Sequence, residues 1–343
     1  MTKKIFYGIA GEGLGHTSRA LSLIENLKEE VHICTWGDSY SFLKKMNYPH
    51  LHEIIGIPFG RSKNSKIGVF ATILSFLKFV FNYRKSFKEV LEISKDADLF
   101  ISDFEPIIPR VANKLGKPLI SIDNQHRFSR CLKRDLPIYL KLHAFLMGLF
   151  TETYIPNPSI TIISTFYENK IKNNFKNTFL TNSFMRKKID SQKVTRGDYV
   201  VVYYKNSCGD AILKSISKAK VRIKVYNCPL EKRIYRNMEY QDVSDENFIK
   251  DLAGCRAVFG CAGNQLISEA IYYNKPILVV PEPNQPEQYI NAFYLRKSGC
   301  GDYLKLNKVN ENKINEFLSK TWCVSLKENG VKDALYIVKN NLM

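Results

Sequence analysis

The chain has 343 residues, 45% of them hydrophobic, and carries 51 Lys and Arg against 33 Asp and Glu, for a formal net charge of +18. That length favours two domains with separate cores, and no apolar run reaches the ~20 residues that would span a bilayer. The basic excess is spread along the chain and points to anionic partners: phosphorylated ligands, an acidic membrane face or nucleic acid. No RNA-binding signature accompanies it, so no nucleic-acid partner is expected. Eight cysteines with no CxxC pair, no His-rich partner spacing and no secretory leader predict reduced thiols in a cytoplasmic protein.

In chain order, "KIFYGIA", "VHICTWG", "DLFISDF", "PLISIDN" and "TIIST" read as strands. Helical patterns beginning near Ser18, Ser39, Ile67, Ile107 and Leu136 separate them. This alternation predicts a parallel sheet covered by helices on both faces. The run Ile67 to Phe81 contains Lys78 and is flanked by Arg61, Lys63, Lys66, Arg84, Lys85 and Lys88. It is too short to span a membrane; it suits either a core helix or a segment lying on anionic lipid. After "KNTFLTNSFMRKKIDSQKVTRGD" the rhythm restarts with "YVVVYY", "VRIKVYN", "RAVFGCA" and "PILVVP". The expected fold is α/β, two doubly wound Rossmann-like halves with a linker near Leu180 to Gly197. Ligands of such sheets sit beyond the carboxyl ends of the strands, so residues just after a strand are the functional candidates.

The first strand runs into "GEGLGHTSRA". A strand, a Gly-rich turn and a helix make an anion site, because free amides and the helix dipole face the turn. Gly11 and Gly13 fit a dinucleotide fingerprint, but His16 stands where its last glycine belongs, which disfavours a hydride-transferring enzyme even with Asp38 available for ribose. His16 is either a structural helix residue or a titratable group held at the sheet edge for proton transfer. Asp103, after "LFIS", falls at the same edge and reads equally as a helix cap or as the acid that orients His16. "DAD", Asp96 to Asp98, precedes its strand and lies at the opposite edge, so no metal is expected to be essential.

In the second half "AVFGCAG" feeds "NQLISEAI", with Asn264 suited to cap the helix and Glu269 one turn in. "KPILVVP" and the polar "EPNQPEQYINA" follow. Taken singly, Gly263 is a turn glycine and Glu269 a solvated helix residue. Together they assemble amides for a diphosphate, a carboxylate for ribose, and polar groups for sugar hydroxyls.

The pattern G-x-x-G-x-x-x-x-E-A, then x-P-x-x-x-x-P, then Q-x-x-N-A resembles the donor site of GT-B glycosyltransferases. It is similar to that of the peptidoglycan N-acetylglucosaminyltransferase and of archaeal and bacterial teichoic-acid-related transferases. "GEGLGHTSRA" resembles their first Gly-rich loop, "DFEP" their acceptor-domain strand end, and "SIDNQH" a further stretch of the latter group. The resemblance implies two Rossmann-like domains facing a central cleft, with residues 1–185 binding the acceptor, 186–325 the donor, and a helix in 326–343 packing back on the first domain. It implies that Gly260, Ala262, Gly263 and Asn264 cradle the diphosphate, Glu269 binds ribose, Gln288 and Glu287 hold the sugar, and Asn291 shapes that loop. Gly13, Gly15 and His16 would face the scissile bond, with Asp103 orienting the histidine. Two departures, Asn264 for the usual Thr or Ser and Glu287–Gln288 for an Asp–Gln pair, leave the sugar and nucleotide open. The implied activity is inverting transfer from a nucleotide-diphosphate sugar, a UDP-sugar, to a hydroxyl of a lipid-linked or cell-envelope glycan, without cofactor or metal, on the inner membrane face. Two alternatives remain: a nucleotide-sugar 2-epimerase of the same fold, and a non-catalytic membrane-associated scaffold.

Overall fold

A computed structural model describes residues 2–56, 82–242, 245–322, 324 and 328–341. The chain divides into two compact units, residues 1–186 with 330–343, and residues 187–329. The apolar run Ile67 to Phe81 lies outside the described residues.

The first unit is built on a seven-stranded parallel sheet in the order β3-β2-β1-β4-β5-β6-β7. Its strands are β1 (Lys4–Ile9), β2 (Glu30–Thr35), β3 (Leu51–Glu53), β4 (Leu99–Asp103), β5 (Leu119–Asp123), β6 (Ile160–Ser164) and β7 (Thr178–Thr181). The inner strands are apolar almost throughout because helices cover both faces, as parallel sheets require. Those helices are α1 (Gly15–Ile24), α2 (Gly37–Lys45), α3 (82–93), α4 (Ile107–Leu115), α5 (Arg127–Arg130) and α6 (Ile138–Tyr154). The last helix of the chain, here α13 (Val331–Asn340), also belongs to this unit, and its Val331, Ala334 and Val338 join Leu23 and Phe184 in one core.

The second unit repeats the plan with six parallel strands in the order β10-β9-β8-β11-β12-β13. They are β8 (Tyr199–Tyr203), β9 (Arg222–Tyr226), β10 (Met238–Gln241), β11 (Ala257–Gly260), β12 (Ile277–Val279) and β13 (Gly301–Tyr303). Helices α7 (Lys187–Asp190), α8 (Gly209–Ile216), α9 (Asp245–Gly254), α10 (Asn264–Tyr272), α11 (Pro286–Ser298) and α12 (Glu311–Ser319) complete it.

Strands β3, β7, β10 and β13 were not expected from the sequence, and all four are sheet edges. An edge strand of three or four residues, exposed on one side, needs no continuous apolar run and leaves no such signal. β7 falls inside the stretch that reads as approach to the linker. A second correction concerns the thiols. Cys208 and Cys261, 53 residues apart with Cα atoms 6.5 Å apart, form a disulfide, whereas Cys34, Cys131, Cys228, Cys255 and Cys300 are free and buried.

Candidate functional site

In each sheet the strand order reverses direction between two neighbours, β1 and β4 in the first unit and β8 and β11 in the second. Crevices at the carboxyl ends of such pairs are where open α/β sheets take ligands. The first Gly-rich loop follows β1 and Asp103 ends β4, and the turn 261–263 follows β11.

In the first unit, β1 pairs in parallel with β4 so that Ile9 stands opposite Asp103. The Ala10 N–H donates to the Asp103 carbonyl at 3.0 Å, so the Gly-rich loop leaves the sheet directly beside that carboxylate. Two glycines of the loop have distinct reasons. A Cβ on Gly11 would lie 2.1 Å from the Trp36 carbonyl, and Gly13 has φ +70°. Asp38, the sequence candidate for ribose, accepts from the Gly13 N–H at 3.0 Å and ties the loop down. Helix α1 then opens at Gly15, and its first helical bond runs from the Ser18 N–H to Leu14, leaving His16 in the unpaired first turn.

His16 Nδ1 lies 2.6 Å from Asp103 Oδ1. Asp103 is fully buried and the His16 side chain retains 19% exposure, so one end of the imidazole is anchored and the other is accessible. Arg19, one turn further along α1, donates from Nε to Asp103 Oδ2 at 2.8 Å and from Nη2 to Oδ1 at 2.5 Å. Both Asp103 oxygens accept from Arg19, so we assign the proton of the short His16 contact to Nδ1, which donates to Oδ1; the 3.0 Å approach of Arg19 Nη2 to the same nitrogen is then a close contact and not a hydrogen bond. The lone pair is thereby directed to Nε2. Burial disfavours the Arg19 charge, but Asp103 outweighs it and holds the guanidinium above its ordinary value. Arg19 is a site residue that the sequence did not single out.

Two neighbours complete this edge. Phe104, next to Asp103, has φ +54°, a left-handed backbone that costs a bulky residue energy and tends to persist at functional sites. Glu105 accepts from the Ile107 and Ile108 amides at the start of α4, yet burial pushes its carboxyl up to about 7. At the end of β5, Asp123 bonds the His126 ring and backbone and accepts from Ser121, while His126 Nε2 is buried with no partner. Burial acts against the Asp123 charge, but His126 holds that carboxyl well below the usual range. These residues belong to the "SIDNQH" stretch.

In the second unit, Gly260 ends β11 and Cys261, Ala262 and Gly263 form the turn into α10. Gly263, not Asn264, is the N-cap, and no side chain caps the helix; Asn264 is its first residue. The first bond back to the turn is from the Ile267 N–H to Gly263 O, so the amides of Asn264, Gln265 and Leu266 precede the helical ladder. Asn264 Oδ1 is buried without a partner. Glu269 is 6% exposed and accepts from Gln265 Nε2 at 2.8 Å; partial burial, and after it the Glu269 charge, raises the Tyr203 hydroxyl.

Gln288 and Asn291 on α11 reach the same turn from behind. Gln288 Oε1 accepts from the Ala262 N–H at 3.2 Å and the Glu282 N–H at 3.0 Å, and its Nε2 donates to Glu282 Oε1 at 2.8 Å. Asn291 Nδ2 donates to the Ala262 carbonyl at 2.9 Å. In this arrangement the Ala262 amide and the Gln288 side chain are engaged with each other, and both residues of α11 brace the turn. Glu287 sits half-buried in the first turn of α11. Sequence reasoning missed Lys205 and Glu282, which form an ion pair at this edge. Burial disfavours ionised Glu282, but Lys205 holds its carboxyl below the ordinary value. The disulfide joins the loop after β8 to the turn after β11, across the reversal point.

Residues 3–321 match the family described as glycosyl transferase family 1. An uncharacterized glycosyltransferase of Methanosarcina mazei is 24% identical over 339 residues, covering 87% of this chain and 85% of its own. The fold resembles the calicheamicin glycosyltransferase CalG4 (TM-score 0.64, 13% identity, 100% and 99% of the two chains covered). It also resembles Acinetobacter baumannii MurG (0.60, 14%, 98% and 99%) and the glycosyltransferase VinC, solved in complex with dTDP (0.57, 12%, 99% and 95%). These structures share the GT-B architecture of two Rossmann-like α/β domains. With the family match running through nearly all of both units, the chain belongs to glycosyl transferase family 1.

Proposed function

We propose that the protein is an inverting glycosyltransferase that moves a sugar from a nucleotide-diphosphate donor, a UDP-sugar, to a hydroxyl of a lipid-linked or cell-envelope glycan. The observation that carries this reading is the His16–Asp103 contact of 2.6 Å, which leaves Nε2 as the free base. In the proposed step the acceptor hydroxyl gives its proton to His16 Nε2 as its oxygen attacks the anomeric carbon. The bond from that carbon to the diphosphate breaks, and its electron pair leaves with the nucleoside diphosphate. Asp103 fixes the tautomer and stabilises the imidazolium, as the orienting acid does in hydrolase triads. The amides that open α10, with Gly263 and Asn264, receive the diphosphate, and Lys205 supplies positive charge at the same edge. Gly13 and Gly15 hold His16 in position, Gly260 ends the strand that delivers the turn, and Glu287 contributes a polar group for the sugar. Gln288 and Asn291 act by positioning the turn.

Glu269 binds the ribose in this reading. Glu269→Ala removes a charge-assisted hydrogen bond worth about 1.5–3 kcal/mol, which weakens donor binding by roughly one to two orders of magnitude. Calorimetry with UDP and dTDP on the folded variant measures it; unchanged affinity would assign the ribose contact elsewhere.

The proposal extends to an anionic membrane surface as the place where a lipid-linked acceptor is met. No described helix is long and apolar enough to cross a membrane. On α6, however, Ile138, Leu142, Phe145 and Leu149 form one exposed apolar stripe at helical spacing, with Ile138 82% exposed. Such a stripe on a chain of net charge +18 suits an interface rich in acidic lipid. Co-sedimentation at low salt is expected to be stronger with anionic than with neutral vesicles, and to fall in Phe145→Asp/Leu149→Asp. Equal sedimentation with both vesicle types removes the membrane from the account.

A further inference from the structure

Three of the chain's six histidines gather on β2, β3 and the residue before β3, at one edge of the first sheet. Glu30 and His32 open β2, and His50 directly precedes β3. A carboxylate oxygen of Glu30, a ring nitrogen of His32 and a ring nitrogen of His50 all lie within 4.8 Å of one another. His52, on β3, places Nε2 3.0 Å from His32 Nδ1, and His32 Nε2 lies 2.7 Å from Glu30 Oε1. The His32 ring is held between Phe6 and His50, with centroids 4.6 and 4.5 Å away.

We propose that Glu30, His32 and His50 form a binding site for a divalent transition-metal ion of the zinc class, with His52 positioning His32. Two imidazoles and one carboxylate, with water as fourth ligand, are a donor set that suits zinc, nickel, cobalt or copper rather than magnesium or calcium. Donor atoms around a tetrahedral zinc ion stand about 3.3 Å apart, given bonds of about 2.0–2.1 Å. His50 is the exposed member, so closing the set asks its ring to turn out of its stack on His32, while His32 stays fixed by its stacking on Phe6 and its contact with His52.

The hydrogen-bond chain is suited to both states. Without metal, His32 Nε2–H donates to Glu30 and His52 Nε2–H donates to His32 Nδ1. With metal on Nε2, the neutral His32 carries its proton on Nδ1 and donates it to His52, provided His52 takes the tautomer with Nε2 unprotonated. A ligating histidine is typically fixed through its other nitrogen in this way. Lys4 is the nearby cation; it lies 3.9 Å from Glu30 but 2.5 Å from Asp96, so its charge is directed to Asp96. The site lies at the amino ends of the strands, away from the proposed transfer chemistry. It would clasp edge strand β3 to β2, which the His50 carbonyl already joins through the Ile33 N–H.

The test is calorimetry and thermal unfolding of the full-length, chelator-treated protein with zinc chloride. One zinc ion should bind with micromolar affinity and raise Tm by mass action, and magnesium chloride should not. His50→Asn, chosen because asparagine tolerates the φ of +51° at this position, and Glu30→Gln should each weaken zinc binding at least about tenfold and abolish the Tm rise, while His52→Gln should weaken it about tenfold. Circular dichroism establishes that each variant is folded. Zinc binding of equal strength in wild type and His50→Asn, or no zinc-dependent rise in the wild type, would overturn the proposal.

Discussion

Replacing His16 with alanine is expected to lower turnover by roughly two to four orders of magnitude and to leave nucleoside diphosphate affinity close to that of the wild type. The large effect follows from geometry. Asp103 fixes the Nδ1 proton at 2.6 Å, so Nε2 is the only position on the ring that can accept a proton from the attacking hydroxyl. The small effect follows from topology, because His16 belongs to the first sheet and the glycine turn to the second. Steady-state kinetics and calorimetry on the same preparation separate the two quantities. A variant that turns over within a few-fold of wild type would reduce His16 to a residue that shapes the loop.

Arg19→Met is expected to destabilise the protein by about 3–5 kcal/mol, since it leaves the fully buried Asp103 charge without its two guanidinium bonds. Adding Asp103→Leu should recover most of the loss, because an apolar pair of similar volume removes the uncompensated charge. Denaturant unfolding of the wild type, both single variants and the double variant gives the coupling directly. A loss below about 1 kcal/mol in Arg19→Met would mean that water or another cation takes over from Arg19. The same variant alters the site, because the guanidinium lies 3.0 Å from His16 Nδ1 and holds the carboxylate that orients the ring.

The inner strands were legible because burial on both faces forces continuous apolar runs, and their alternation with helices implied two doubly wound sheets. The pairing of His16 with Asp103 was legible for the same reason: both residues follow strands, and strand ends meet at one edge. Arg19 was not legible. Within α1 it reads as an ordinary helix residue, and only the depth of Asp103 explains why a guanidinium is buried there. Asn264 looks like an N-cap by type, yet the backbone of Gly263 takes that position. The hydrogen bonds of Gln288 to Ala262 and Glu282 were not legible either, since partner choice of that kind depends on packing between helix and turn. The Cys208–Cys261 bond has no local signature either, since its members follow two different strands that become neighbours only in the sheet.

Inverting transfer from a nucleotide sugar is tested most directly by following the anomeric centre. The full-length protein is incubated with UDP- and dTDP-sugars, water serving as the acceptor, and the products are followed by proton NMR before the released sugar mutarotates. The account predicts free nucleoside diphosphate and a sugar whose first-formed anomer is inverted relative to the donor, with both products lost in His16→Ala. A released sugar of retained configuration, or an intact nucleotide sugar inverted at C2, would contradict it.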